Sequence, residues 1–206
     1  MKPDEPSRTA LMIARQRAAH QVLDHGSILY DPFAMKILRE DENDVLQFAN
    51  QHPSASIGRL FTTARSRIAE DALSRSVERG LQQIVILGAG LDTFALRNPH
   101  GVRQIRIYEV DHPATQAWKL ERLADAQIAV PLWLILVPVD FERDDVGEKL
   151  VAAGFQQNSP PSDGEQRVAA LLSPICQSPS TQTCAAHATP GLLLDSGVGL
   201  YHPMSA

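Results

Sequence analysis

Cysteine, basic charge and long apolar runs are all scarce in this chain of 206 residues. The two cysteines, Cys176 and Cys184, match neither a zinc knuckle nor a dithiol redox pair in their spacing, so neither a disulfide framework nor a structural zinc site is expected. That usage fits a reducing, cytoplasmic setting. Nineteen basic residues stand against 24 acidic ones, a formal net charge of −5, and the basic footprint that nucleic acid requires is missing. The longest apolar run, residues 128–139, is short and interrupted by Pro131 and Pro138, while the N-terminus is charged from Lys2 onward and lacks an apolar signal core. Neither nucleic acid nor a membrane is therefore expected as a partner; small molecules and proteins remain. The seven histidines are scattered, none beside Cys or carboxylates at ligand spacing, so no metal site is read.

What is present is a pattern of alternating strands and helices long enough for one α/β domain. Four consecutive aliphatics, Ile84-Val85-Ile86-Leu87, read as a strand buried on both faces, the habit of parallel sheets. It breaks at Gly88-Ala89-Gly90, then a short helix follows near Thr93 to Leu96, and a second strand runs from Gln104 to Val110. Strand, glycine turn, helix, strand is a βαβ unit. Before it, an amphipathic helix is expected from Arg8 to Asp24, a short helix from Asp31-Pro32 to Arg39, solvated turns over residues 40–44 and 50–54, and a helix from Leu60 to Arg79 stopped by Gly80. After it come a helix from Pro113 packing through Ala117, Leu120 and Leu123, a third strand from Leu132 to Val139, and a helix from Val146 to Ala153.

The glycine turn reads as the first turn of a nucleotide-binding unit, where glycine lets the backbone turn tightly and a ligand approach closely. Glu109 and Asp111 lie 21 and 23 residues after Gly88, at the end of the second strand, where a carboxylate accepts hydrogen bonds from ribose hydroxyls in dinucleotide and adenosyl sites alike. The turn discriminates further. A dinucleotide fingerprint wants a third glycine and an anion-free helix start for the pyrophosphate, whereas this chain has Thr93 preceded by Asp92. A carboxylate there suits a cationic ligand without phosphates, which points to S-adenosyl-L-methionine over NAD. Asp140, ending the third strand, is placed to accept from the adenine amino group, with the backbone N–H of Phe141 on a ring nitrogen.

In order and spacing, Ala64-Arg65, Ile86-Leu87-Gly88-Ala89-Gly90-Leu91-Asp92-Thr93, Tyr108-Glu109-Val110-Asp111-His112-Pro113 and Val139-Asp140-Phe141 resemble the leucine carboxyl methyltransferase family. The likeness is greatest to its actinobacterial branch of S-adenosyl-L-methionine-dependent methyltransferases, which tends to share Asp31-Pro32-Phe33-Ala34. The resemblance implies a class I (Rossmann-like) methyltransferase fold, three-layered αβα. It also implies that Gly88 and Gly90 pass the methionine part of the cofactor, that Arg65 pairs with its carboxylate, that Asp111 with Glu109 holds the ribose, and that Asp140 and Phe141 bind adenine. No acid–base triad is implied, because displacement at a sulfonium methyl needs alignment and a dry pocket. The acceptor, a small molecule or a protein, is unidentified, with carboxylates among the candidates.

The likeness is read over residues 7–157, giving a cofactor domain at 1–158 and a divergent tail at 159–206. That tail is low in charge and carries six of the 14 prolines, a composition that folds poorly. The sheet is accordingly expected to be incomplete, the chain a truncated or frame-shifted form, and only Leu192 to Pro203 faintly like the family's fourth strand. Two competing readings stand beside the methyltransferase: a non-catalytic remnant with the first strand left as an open edge, and an NAD-dependent oxidoreductase.

Overall fold

Strand β1 (Leu81–Leu87) owes its central place to its side chains: Ile84 and Ile86 point to one face, Val85 and Leu87 to the other, and all four are buried. In the computed structural model, which describes residues 7–51, 55–101, 105–156, 167–172, 192–194 and 200–203, these faces anchor two cores. On one, Ile84 and Ile86 pack with Ile107, Phe94 and the Ala72, Leu73 and Val77 face of α3 (Ala55–Glu78). On the other, Val85 and Leu87 pack with Tyr108, Val110 and Val137 under α6 (Val146–Ala152). Helices on both faces of one sheet make the expected three-layer α/β architecture.

The sheet runs β3-β2-β1-β4-β6-β5. Strands β2 (Arg106–Asp111) and β3 (Leu134–Pro138) join β1 in parallel, with Val85 opposite Tyr108 and Tyr108 opposite Ile135. Parallel strands need crossovers, which are supplied by α4 (Phe94–Arg97) and α5 (Pro113–Asp125). Tyr108 is fully buried, sets its ring edge-on to Phe155 at 5.5 Å and donates its hydroxyl to the Gly154 carbonyl at 3.0 Å.

The other flank of β1 differs from expectation. Strand β4 (Arg167–Leu172) pairs with it in parallel, Val85 opposite Ala170, so β1 is not an edge and the physical motive for a collapsed remnant is removed. Composition hid β4: Val168-Ala169-Ala170-Leu171-Leu172 is an uninterrupted apolar run inside a proline- and serine-rich stretch. Residues 192–203, expected to be the fourth strand if anything, instead supply β5 (Leu192–Leu194) and β6 (Leu200–Pro203), antiparallel strands beyond β4. Cys176 and Cys184 lie outside the described residues.

Two further expectations give way to local hydrogen bonding. Residues 32–39 form turns, not a helix: Leu38 and Arg39 bond three residues back, and Arg39 has a left-handed φ of 57°. The acidic stretch after Arg39, read as solvated turns, instead starts α2 (Glu42–Gln51). There Asp44 N–H donates to Asp41 at 2.9 Å and Asp41 N–H donates to Asp44 at 3.0 Å, a capping box written with aspartate where glutamate is usual. Helix α1 (Arg8–Leu23) buries a small-residue face, Ala10, Ala14 and Ala18, against Ile37, Val45 and the turn residue Leu91.

Candidate functional site

The carboxyl ends of β1, β2 and β3 lie side by side, and a short hydrogen-bond ladder ties them. Gly88 N–H donates to Val110 O at 2.8 Å, and Val139 N–H to Asp111 O at 2.9 Å. Both turn glycines need the left-handed backbone, with φ of 64° at Gly88 and 53° at Gly90, which a side chain would strain. Asp111 closes the turn: one carboxylate oxygen takes the Gly90 N–H at 2.6 Å, the other the His112 N–H at 2.6 Å. Burial pushes its carboxyl above the ordinary value, and those two N–H donors pull it back toward the charged form.

Asp140 and Phe141 follow β3 on the same rim. Asp140 is partly exposed, accepts from Glu142 N–H at 3.1 Å and faces the Arg143 guanidinium at 3.6 Å. Phe141 packs partly buried against the α6-side core. The structure thus brings together Gly88, Gly90, Asp111, Asp140 and Phe141. Arg65, half-buried on α3, stacks its guanidinium over Phe61 at 5.5 Å and is joined to that rim by none of the contacts described for it.

Glu109 departs from the ribose role expected of it. It is 1% exposed, points beneath α5 and pairs there with Lys119, so Asp111 alone of the two carboxylates meets the turn. Burial raises its carboxyl above the usual range against the pull of the Lys119 ammonium. The helix face explains this arrangement. Of the three residues through which α5 was expected to pack, Leu123 is buried while Ala117 and Leu120 are exposed, and the helix buries Thr115, Gln116 and Lys119 in their place. Carbonyls at the strand ends need donors, and Gln116 supplies two, to Glu109 O at 2.7 Å and Val137 O at 3.3 Å.

Asp92 is not a bare anion facing a ligand. Its carboxylate takes Arg17 at 3.0 Å and the Phe94 N–H at 2.6 Å. Burial alone would raise its pKa, yet the Arg17 and Arg97 guanidiniums and the Phe94 N–H hold it below the ordinary value. The phosphate-repulsion argument drawn from its charge is correspondingly weakened, and the absent third glycine remains. Asp31 joins the same knot: it accepts the Thr93 hydroxyl at 2.5 Å and lies 3.5 Å from Arg97, which is clamped in two bonds by Glu70 at 2.6 and 3.0 Å. Arg17, Lys119 and Arg97 were missed in the sequence. Periodicity gave no signal for them: α1 buries Arg17 beside Ala14 and Ala18 but also beside Gln16 and His20.

A cleft of about 790 Å³ opens between α1, α2 and α3, with Leu11, Met12 and Phe48 as its apolar lining and Arg15 bonded to Glu40 at 2.7 Å within it. At its wall Gln16 accepts the Thr62 hydroxyl at 2.7 Å, one turn of α3 before Arg65. Among the described residues no group of three or more His, Cys, Asp or Glu side chains is placed to hold a metal ion.

Against this geometry, the sequence profile described as leucine carboxyl methyltransferase matches residues 10–162. A Bacillus subtilis protein named "Putative S-adenosyl-L-methionine-dependent methyltransferase YktD" is 32% identical over 179 residues, covering 76% of this chain and 59% of that protein. A Mycobacterium tuberculosis relative bearing the same description is 28% identical over 198 residues, 90% of this chain and 62% of its own length. A Mycobacterium marinum relative is 30% identical over 198 residues, 89% of this chain and 60% of its own length. A match over 90% of the chain cannot stop at residue 157, so the likeness runs into 159–206, farther than the motifs alone suggest. The chain spans about three-fifths of the length of these curated relatives.

Proposed function

The chain belongs to the leucine carboxyl methyltransferase family, and from that premise we propose that it binds S-adenosyl-L-methionine at the turn between β1 and α4. In the whole protein it transfers the cofactor's methyl group to an acceptor not yet identified, a small molecule or a protein, with carboxylates the first to be tried. The observation that carries this reading is Asp111. It sits at the end of β2 with both oxygens oriented by the N–H groups of Gly90 and His112. A carboxylate so held keeps acceptor capacity for two ribose hydroxyls while fixing the turn that the methionine part must pass.

The residues present fit that cofactor. Gly88 and Gly90 offer close backbone approach and Asp140 with Phe141 a polar and an apolar contact for adenine, while the role of Arg65 as bidentate partner of the methionyl carboxylate rests on the family likeness and not on its contacts here. When bound, the cofactor supplies an electrophilic sulfonium methyl. The protein's task is to align an acceptor with it and keep water out. Neither nucleic acid nor a membrane is part of this reading: the net charge is −5, and no helix among the described residues is long and apolar enough to cross a membrane. Its sparing use of cysteine supports a cytoplasmic setting as part of the same proposal.

Equilibrium dialysis of the chain against S-adenosyl-L-methionine and against NAD separates the leading reading from the oxidoreductase. Retention of the first and not the second is expected. Retention of NAD alone would overturn the assignment.

A further inference from the structure

Lys119 is 1% exposed, and its ammonium reaches from α5 to two acceptors: the Glu109 carboxylate on β2 and the main-chain carbonyl of Asp92 in the turn, the latter at 2.6 Å. Arg17 does the corresponding work from α1, donating to the Leu91 carbonyl at 2.6 Å and to the Asp92 carboxylate at 3.0 Å. Two successive carbonyls of the turn are therefore pinned, one by each helix. In a trans peptide the carbonyl and the following N–H point in opposite directions. Fixing these two carbonyls thus fixes the peptide planes over residues 91–93, just after the glycine whose N–H is held by Asp111.

An ion pair alone does not require this arrangement. Buried pairs contribute little net stability and are replaceable by uncharged side chains of similar shape, provided both partners change together. The bond to the Asp92 carbonyl is what such a replacement loses. We propose that Lys119 is a positioning residue for the cofactor turn, setting the affinity for an adenosyl ligand through its bond to the Asp92 carbonyl without touching that ligand. The proposal rests on the assignment of this turn to S-adenosyl-L-methionine.

Calorimetric titration with S-adenosylhomocysteine, paired with urea unfolding, tests it on the full chain in four forms: wild type, Glu109→Gln, Lys119→Met, and the Lys119→Met/Glu109→Gln double variant. Lys119→Met is expected to lose both stability and affinity, because it leaves Glu109 buried without its cation. Glu109→Gln keeps the bond to Asp92 and is expected to bind within threefold of wild type. The double variant is expected to recover most of the lost stability yet bind at least tenfold more weakly than Glu109→Gln. Equal affinity of the double variant and Glu109→Gln overturns the proposal while leaving the cofactor assignment intact. Absence of binding by wild type overturns both. Should the double variant fail to fold, Lys119→Met carries the test: methionine has no donor for the Asp92 carbonyl, so a dissociation constant within threefold of wild type overturns the role.

Discussion

His20 is fully buried on α1 and has every ring nitrogen accounted for: Nδ1 meets Asp24 at 2.9 Å, and Nε2 accepts from Ile28 and Leu29 N–H at 3.2 and 3.4 Å. Asp24 is held in turn by two bonds from Arg59, which draw its carboxyl below the ordinary value. One imidazole thereby fastens the loop that carries Asp31 beneath the turn. His20→Ala takes the Nε2 acceptor away from the Ile28 and Leu29 N–H groups and leaves a void, and a loss of about 2–4 kcal/mol in urea unfolding is expected. At the proposed site, Asp111→Ala is expected to weaken S-adenosylhomocysteine binding by about 1–3 kcal/mol, roughly 5- to 150-fold, through lost ribose bonds and a loosened Gly90. An unchanged dissociation constant would remove Asp111 from the site.

Elements respond to a different kind of substitution. Ala170 sits in mid-β4, opposite Val85 on one side and Tyr201 on the other. Proline there removes a ladder donor and is tolerated only on edge strands, so Ala170→Pro is expected to lower the melting temperature sharply and expose β1 to aggregation, read by thermal scanning with light scattering. A variant as stable as wild type would show that β4 does not cover β1. How far these elements were legible follows from the kind of signal each carries. β1 announces itself because a strand buried on both faces needs consecutive aliphatics, and β2 through Ile107 and Val110; spacing offered both Glu109 and Asp111 at the end of β2 without choosing between them. Helix α5 misleads for a physical reason: its sheet-facing side must donate to strand-end carbonyls, so Gln116 and Lys119 go in and Leu120, 41% exposed, goes out. Arg17 and Lys119 are likewise illegible from periodicity, since charge is read as surface until its partners, 75 and 27 residues away, are known.

At the scale of the whole molecule, the carboxyl groups divide into two sets with opposite pH signatures. Asp24, through the hydrogen bond from Arg59, and Asp92, where Arg17 and Arg97 outweigh burial, are depressed below the ordinary 3.8; they stabilise the folded chain above that value and lose their contribution as pH falls through the depressed one. Glu70, Glu109 and Asp111 are raised by burial, so their protonation favours the folded state, an effect that is lost as pH rises through their folded values. Arg17→Met removes the main cation beside Asp92, a deficit expected near about 3 kcal/mol at pH 7 for a broken buried pair. That deficit should shrink as pH falls below 3.8 and Asp92 protonates; a constant deficit across an acid series of urea unfolding would contradict the assigned pairing. The account as a whole turns on one location, the rim formed by the ends of β1, β2 and β3. An amide NMR titration of the isotopically labelled chain with S-adenosyl-L-methionine interrogates it directly. Saturable shifts concentrated at Gly88, Gly90, His112 and Phe141, with little change across β5 and β6, are the predicted result; saturable shifts that leave those four amides unmoved, or none at millimolar cofactor, would contradict it.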